Sequence, residues 1–223
     1  TSDTTLYAVW EVNTYKLIFD ALGGKIDIDY KTVTYGSPYG LLPISLYPNY
    51  IFGGWFLEKE YANKITSETI VSTAEDHTVY AMWIPLNYTI IYNANGGEGA
   101  PEQQTKEYGT DATLSDVEPT RKGFHFKGWS TTADGVVVYA PGAVYSENAD
   151  LTLYAVWEAI NYGDPSGDGE INAVDAVLLA QKIAGWDVEL DISAADCNGD
   201  GEVNAIDAVL LAQFIAGWDV VLG

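Results

Sequence analysis

A twelve-residue acidic segment occurs twice near the C-terminus, and this duplication restricts the possible folds more than any other feature of the chain. The first copy, residues 164–175, reads DPSGDGEINAVD, and the second copy, residues 196–207, reads DCNGDGEVNAID. Both copies have oxygen-bearing side chains at positions 1, 3, 5, 9 and 12 and a glycine at position 6. The same apolar helical pattern, AVLLAQ, follows each copy. We therefore expect a small module built from two similar loop–helix halves.

This spacing is that of a twelve-residue loop that wraps a calcium ion, with a backbone carbonyl at position 7 and a water-mediated ligand at position 9. The sequence thus predicts two structural calcium ions. The predicted ligands are Asp164, Ser166, Asp168, Glu170, Asn172 and Asp175 in the first loop, and Asp196, Asn198, Asp200, Glu202, Asn204 and Asp207 in the second. Three carboxylates in one loop repel one another without a cation, so metal binding and folding are expected to be coupled.

Each loop also carries the signals that start and stop a helix. Asn172 and Asn204 occupy the N-cap position, and an aspartate follows three residues later in each copy. Gly185 and Gly217 are the matching C-terminal stops. The apolar face of each helix is expected to form the core that joins the two halves, with Trp186 and Trp218 closing its edge. The predicted core residues are Val177, Leu178, Ile183, Val209, Leu210 and Ile215.

The composition narrows the range of partners and compartments. The chain has 223 residues, enough for roughly one to three domains, and a net charge of −22. That charge argues against nucleic acid or an anionic membrane surface as the partner, because both would repel the chain. The sequence contains no run of about 18 apolar residues, so it predicts no membrane-spanning helix. Cys197 is the only cysteine, so an intrachain disulfide cannot form, and we expect it at an exposed loop position without a function of its own.

A longer repeat precedes the acidic module. The motifs LYAVW, VYAMW and LYAVW end at Trp10, Trp83 and Trp157, which are 73 and 74 residues apart. Between them recur a strand-like run that ends in a double glycine, a Tyr-Gly pair and an aromatic-Gly-Trp strand. Alternating apolar residues and many aromatic side chains predict strands, with a tight turn at Asn95-Gly96 and room for at most a short helix near residues 114–118.

These motifs, including FKGW and LYAVW, resemble the internalin-type B repeat of bacterial surface proteins. The resemblance implies two tandem β-grasp-like repeats, residues 14–86 and 87–160, on an extracellular protein. Residues 1–13 are then the closing strand of a third copy, and the natural protein is expected to continue upstream, with its signal peptide outside this fragment. The first copy has the sequence FDALGG where the family has an asparagine turn.

Residues 161–223 resemble the type I dockerin, a calcium-folded module that attaches a protein to a cohesin on a scaffoldin. This segment contains twelve acidic side chains and one basic side chain, Lys182. Both loops have aspartate at position 12, and the sequence Asn-Tyr-Gly before Asp164 leaves no room for an entering helix, unlike an EF-hand. The expected fold is therefore a multidomain chain, with two mainly β repeats followed by a small all-α module.

The dockerin resemblance also implies which residues contact the cohesin, at loop positions 10 and 11 and at helix positions 18 and 19. These residues are Ala173, Val174, Gln181 and Lys182 in one copy, and Ala205, Ile206, Gln213 and Phe214 in the other. The two copies are nearly identical, so the module is expected to dock in either of two orientations related by an internal two-fold axis. The apolar first pair predicts a cohesin with a flat hydrophobic platform.

Three other functions remain open at this point. The repeats could bind protein in an adhesin that the dockerin anchors, or the loops could belong to a free calcium sensor. The aromatic residues could alternatively bind polysaccharide, with stacking on Trp10, Trp55, Trp83, Trp129 or Trp157. Catalysis has no support, because the chain lacks a nucleophile elbow, a phosphate loop and an HExxH motif. We therefore expect a non-enzymatic chain.

Overall fold

A computed structural model describes residues 3–223, which divide into two compact units. The first unit comprises the chain up to Tyr88 together with Glu107–Thr110, and the second comprises Thr89–Lys106 and Asp111–Gly223. The first repeat makes up most of the first unit. The second repeat and the C-terminal helices lie together in the second unit.

The first repeat is a five-stranded mixed sheet. Its strands are β1 (Thr14–Asp20), β2 (Tyr30–Thr34), β3 (Tyr50–Phe56), β4 (Lys64–Ile65) and β5 (His77–Pro85). They lie in the order β2-β1-β5-β3-β4, so the last strand is central. β1 and β5 are parallel, whereas the β1–β2, β3–β4 and β3–β5 pairs are antiparallel.

The core of this sheet follows from the alternation along its strands. Leu17 and Phe19 on β1 and Val79 and Ala81 on β5 are buried, because residues two apart point to the same face. Trp55 on β3 packs into this cluster, with its ring centroid 4.9 Å from that of Phe19. The alternating pattern in the sequence therefore identifies the core face.

The second repeat has the same order of strands around its central pair. Its elements are β6 (Asn87–Asn93), β7 (Gln104–Glu107), β8 (Ala112–Thr113), β9 (Phe124–Ser130), β10 (Val144–Tyr145) and β11 (Leu151–Ala159). The main sheet has the order β7-β6-β11-β9, with β6 and β11 parallel, and β8 pairs with β10 separately. The structure therefore confirms two β-sheet repeats.

The predicted turn at Asn95-Gly96 is confirmed. Both residues have positive φ angles, 49° and 88°, which is the geometry of a type I′ turn. The first copy has the same turn, with φ angles of 46° at Leu22 and 96° at Gly23. Asn95 also donates hydrogen bonds to the carbonyls of Ala133 and Ala155, at 2.7 and 2.9 Å. Leucine cannot form these bonds, so only the backbone conformation is shared between the copies.

Two predicted elements at the ends of the repeats are not seen as regular secondary structure. Residues 114–119 form no helix, so the short helix for which the pattern left room is absent there. Residues 3–13 form no strand, and Leu6, Tyr7 and Trp10 in this segment are exposed. A strand needs a neighbour to pair with, so the proposed closing strand of residues 1–13 stays a prediction, and residues 1 and 2 lie outside the described chain.

Three helices form the C-terminal module: α1 (Ala173–Ile183), α2 (Ile192–Ala195) and α3 (Ala205–Ile215). Leu179 on α1 and Leu211 on α3 are fully buried in one core cluster, together with Ala195 and Cys197. The expectation of an exposed cysteine is therefore wrong. Burial, followed by the nearby carboxylates, raises the pKa of the Cys197 thiol to about 12.

The predicted core of this module is largely wrong. Val177, Ile183, Val209 and Ile215 are exposed, and Leu178 is only partly buried, whereas the partly buried Leu210 packs against the core as predicted. The halves instead meet through Leu179 and Leu211, while Ala176 and Ala208 on the same side of each helix pack against this core. Trp186 and Trp218 are also exposed, so they do not close the edge of the module. Among the described residues, no helix has the length and apolar character needed to cross a membrane.

Candidate calcium loops and docking surface

The predicted helix starts are confirmed in both halves. The Asn172 side chain accepts a hydrogen bond from the Val174 amide at 2.8 Å, and the Asn172 amide donates to Asp175 Oδ2 at 2.9 Å. These reciprocal bonds form a capping box, and Asn204 and Asp207 form an equivalent one. Positions 9 and 12 of each loop are therefore held by the first turn of the helix that follows.

The first loop is organised around the carboxylate of Asp164, at position 1. Its Oδ1 accepts from the Ser166 hydroxyl at 3.1 Å and the Gly167 amide at 2.9 Å. Its Oδ2 accepts from the Gly169 amide and the Asn161 side chain, both at 3.0 Å. Burial alone would raise the pKa of Asp164, but these four hydrogen bonds outweigh it and lower the pKa below its usual value.

Asp175, at position 12, closes the first loop onto position 3. This carboxylate is fully buried, and its Oδ1 accepts from the Ser166 amide at 3.1 Å. Because Ser166 also contacts Asp164, the structure brings positions 1, 3 and 12 of the loop together. Gly169 has a φ angle of 89°, so the glycine at position 6 makes the sharp turn of the loop.

The second loop has the same framework with different side chains. Asp196 accepts from the amides of Asp200 and Gly201, at 3.1 and 2.8 Å. Asp207 accepts from the Asn198 amide at 3.2 Å, and the Asn198 side chain donates to Asp200 Oδ2 at 2.8 Å. Positions 1, 3, 5 and 12 are thus connected through one hydrogen-bonded network.

The donor set of each loop fits a hard cation such as calcium. Across residues 3–223, no three His, Cys, Asp or Glu side chains converge into a metal centre by themselves. Calcium loops, however, complete their coordination with hydroxyl, carboxamide, backbone and water oxygens. Ser166 brings a hydroxyl oxygen to position 3 and contacts the carboxylates of positions 1 and 12. Asn198 brings a carboxamide oxygen to the same position of the second loop and contacts the carboxylates of positions 5 and 12. The four outer acidic residues, Asp168, Glu170, Asp200 and Glu202, are exposed.

The residues that the dockerin resemblance assigns to cohesin contact divide into two groups. Those at loop positions 10 and 11 are exposed in both copies: Ala173, Val174, Ala205 and Ile206. Those on the helices are partly buried, except for Phe214, which is exposed: Gln181, Lys182, Gln213 and Phe214. All eight can reach solvent. Val177 and Val209 are also exposed, although their apolar side chains were predicted to lie in the core.

One contact between the module and the second repeat was also not predicted. His125 Nε2 on β9 lies 2.9 Å from Asp191 Oδ2, and both side chains are about one-third exposed. The other oxygen of Asp191 caps α2 by accepting from the amides of Ser193 and Ala194. No sequence signal pairs these residues, which are 66 positions apart and belong to different modules.

The tryptophans within β3, β5, β9 and β11 do not offer a stacking platform for sugars. Trp55 and Trp129 are buried in the two repeat cores. Trp83 and Trp157 are partly buried and donate hydrogen bonds to the carbonyls of Ala21 and Ala94, at 2.8 and 3.0 Å. Trp10 is exposed, but it lies in the segment before β1. The tryptophans of β3, β5, β9 and β11 are therefore packing residues of the two repeat cores.

The fold and the loops together define a chain of tandem β-sheet repeats that ends in a duplicated loop–helix module with a calcium-type donor set. The chain belongs to the Listeria-Bacteroides repeat family: the profile of the Listeria-Bacteroides repeat domain matches residues 15–82 and 88–156. The profile of the dockerin type I domain matches residues 162–216. All of these matches are to non-catalytic modules, and a dockerin domain implies a cohesin partner in a cellulosome-type assembly.

The chain is also similar to two proteins of Evansella cellulosilytica. It is 30% identical over 182 residues, 78% of this chain, to one whose name describes a Gly-rich membrane protein. It is 31% identical over 163 residues, 73% of this chain, to another whose name describes a membrane protein. These matches span only 20% and 24% of the two relatives.

Proposed function

We propose that the chain is a non-catalytic assembly segment of an extracellular bacterial surface protein, in which a calcium-folded dockerin binds a cohesin on a scaffoldin. The observation that carries this proposal is the pair of matching loops, each joined to its helix by a capping box. The match to the dockerin type I domain supports it. Such a duplicated framework suits a module with two equivalent halves.

Calcium would be held by the twelve loop residues predicted above, one ion in each loop. The charge of the ion would offset the repulsion among three carboxylates, two of which are buried in the first loop. The backbone of the first loop already supports two of these carboxylates. Asp164 and Asp175 are already oriented by loop amides, so little reorganisation of these carboxylates is required.

The repeats would act as a spacer or stalk, with boundaries at residues 14–86 and 87–160 and the dockerin at residues 161–223. We also assign each repeat to a β-grasp-like fold. The central parallel pair, β1–β5 or β6–β11, supports this assignment, because a β-grasp sheet likewise places its first and last strands side by side. In each repeat, a segment without a helix takes the place of the usual crossover helix.

Cohesin contact is assigned to the eight residues at loop positions 10 and 11 and helix positions 18 and 19. Their counterparts in the two copies differ only at Val174/Ile206 and Lys182/Phe214. A half-turn about the internal axis would therefore present nearly the same surface. We expect that either half can dock.

Calorimetry of the full chain against a panel of recombinant cohesins, with calcium and with excess chelator, tests the proposal. Binding should occur in calcium and disappear with chelator. The double variant Asp175→Asn/Asp207→Asn should lose binding, whereas Asp187→Asn/Asp219→Asn, which removes two exposed carboxylates outside the loops, should retain it. Binding that survives chelation would contradict the calcium requirement, and the absence of binding to any cohesin would contradict the assignment.

One observation favours a second role, protein binding by the first repeat. Leu46 in the first repeat pairs with Lys25, and Thr120 in the second repeat pairs with Glu98. Because Lys25 and Glu98 each follow a double glycine, Leu46 and Thr120 occupy equivalent positions. In the first copy, Leu46 and the nearby Ile44 are exposed apolar residues, whereas threonine replaces leucine in the second. A pull-down with the full chain and with Ile44→Glu/Leu46→Thr tests this role. Loss of a captured protein in the variant supports an adhesin function.

A further inference from the structure

Helix α1 has apolar side chains on the face turned away from the module core. Val174, Val177 and Gln181 recur at i, i+3 and i+7, so they lie within about 60° of one another around the helix axis at roughly 100° per residue. On the same count, Leu179 lies about 150° away from them. Leu179 is fully buried, whereas Val174 and Val177 are 54% and 55% exposed. This face therefore lies outside the buried core cluster of the module.

The C-terminus of α1 adds a tryptophan to this face. Gly185 has a φ angle of 83° and donates to the Lys182 carbonyl, and the Trp186 amide donates to the Gln181 carbonyl at 3.0 Å. These two bonds form a Schellman motif, which folds the residue after the glycine back over the last turn of the helix. Trp186 is thus placed at the end of the row that contains Gln181. Val174, Val177, Gln181 and Trp186 are termed here the α1 stripe.

The same surface exists on α3. Ile206, Val209, Gln213 and Trp218 occupy the equivalent positions and are termed the α3 stripe. Their exposure matches that of the first copy, at 55% for Val209 and 63% for Trp218, compared with 55% for Val177 and 61% for Trp186. The Trp218 amide donates to the Gln213 carbonyl at 3.0 Å, which repeats the Schellman motif. Both copies thus have one indole at the same place.

The charge of the stripes is unusual for this chain. Between Asn172 and Trp186 the only acidic residue is Asp175, and between Asn204 and Trp218 it is Asp207; both are fully buried. A chain of net charge −22 therefore has two exposed strips without a surface carboxylate. Exposed apolar strips mark interaction sites, and tryptophan is enriched among the residues that contribute most binding energy.

We infer that the cohesin-docking surface of each half extends along the whole stripe and that Trp186 or Trp218 anchors its far end in an apolar pocket of the cohesin. This inference rests on the proposed function. Continuity supports the choice of partner, because Val174, Ile206, Gln181 and Gln213 are already assigned to cohesin contact. Within α1, Val174 and Gln181 lie about 10 Å apart along the axis at 1.5 Å per residue, and Trp186 follows after Ile183, the last residue of the helix. The cohesin must then offer apolar contacts to Val174, Val177 and Trp186.

The test uses the full chain and any cohesin that the unmodified chain binds in calcium. Trp186→Ala/Trp218→Ala should weaken binding at least about thirtyfold, the loss expected when a hot-spot tryptophan is removed. If both orientations are equivalent, each single variant should change affinity only about twofold, because the other half still docks. If one orientation dominates, one single variant should account for the whole loss, which also supports the anchor.

A matched control removes an exposed indole from elsewhere in the chain. Trp10→Ala should leave affinity unchanged, since Trp10 lies in the segment before β1. The helical circular dichroism and melting temperature of the double variant in calcium should equal those of the unmodified chain, because both indoles lie outside the core.

Four outcomes overturn the inference. Affinity of the double variant within twofold of the unmodified chain shows that the indoles do not anchor the cohesin, while the proposed dockerin function stands. Loss of helix in the double variant means that the indoles are structural. Concentration-dependent dimerisation that the double variant abolishes, with cohesin affinity unchanged, assigns the stripes to a second copy of the chain. No binding of any cohesin by the unmodified chain removes both proposals.

Discussion

Replacement of Asp175 by asparagine separates its two expected roles, as a helix cap and as a calcium ligand. The carboxylate accepts one bond per oxygen, from the Ser166 and Asn172 amides at 3.1 and 2.9 Å, and it is fully buried. The Nδ2 group of asparagine donates and cannot accept, so one of the two backbone N–H groups loses its partner. A buried unpaired donor costs about 1–3 kcal/mol.

The loss of stability caused by Asp175→Asn should depend on whether calcium is bound. Without metal, removal of one negative charge relieves repulsion from Asp164 and Asp168, which offsets part of the lost hydrogen bond. With metal, no such relief occurs and affinity falls. A calcium concentration about 100-fold above Kd adds roughly 2.7 kcal/mol of stability per site, and a tenfold weaker site adds about 1.4 kcal/mol less. The variant should therefore lose more stability in calcium than in chelator.

Circular dichroism at 222 nm is a suitable assay, because all helices of the described chain lie between Ala173 and Ile215. For a module of this size, each kcal/mol shifts the melting temperature by roughly 4–8 °C. Asp175→Asn in calcium should melt roughly 5–20 °C below the unmodified chain, and the exposed control Asp187→Asn should not shift. Equal losses with and without calcium would refute the ligand role of Asp175 and leave only the cap.

Three further predictions concern the module. The Cys197 thiol, with its pKa raised to about 12 by burial and then by nearby carboxylates, has a thiolate fraction about a thousandfold below that of an ordinary thiol. A colorimetric thiol reagent should therefore leave it unlabelled at pH 8 in calcium and label it once chelator unfolds the module; rapid labelling in calcium would contradict its burial. Lys182→Phe, which makes that position match Phe214, should reduce the salt dependence of cohesin affinity between 50 and 500 mM NaCl, whereas unchanged dependence would place Lys182 outside the interface. Asp191→Ala should destabilise the helices by about 1–2 kcal/mol through loss of the α2 cap, and His125→Ala by less than about 1 kcal/mol; equal thermal shifts would mean that the cap contributes nothing.

Local signals predicted the loops because each acts through the backbone near it. Asn172 caps a helix through bonds to residues two and three positions away, and Gly185 ends it through a positive φ angle. Asn95-Gly96 makes its turn in the same way. Such short-range constraints are readable from sequence. The contact between His125 and Asp191 is not, because it depends on how two modules meet.

The turn in the first repeat shows a limit of local rules. Leu22 has a φ angle of 46°, a conformation that disfavours leucine. The turn nevertheless forms, with the Gly24 amide donating to the Ala21 carbonyl at 2.9 Å and Trp83 donating to the same carbonyl at 2.8 Å. Strand pairing on either side therefore imposes the turn on a residue that does not favour it.

The wrong prediction of the core residues in the C-terminal module has a physical cause, and this cause also bears on the function of the module. The run AVLLAQ supplies more apolar residues than one narrow helix contact can bury, and periodicity alone does not show which side faces inward. Ala176 and Ala208 are small, so α1 and α3 can pack on the side that also contains Leu179 and Leu211. Val177 and Val209 are then left on the opposite side, next to the residues assigned to cohesin. A module that must bury one apolar face by folding and another by docking needs an excess of apolar residues on each helix, and this excess is what made the docking residues resemble core residues in the sequence.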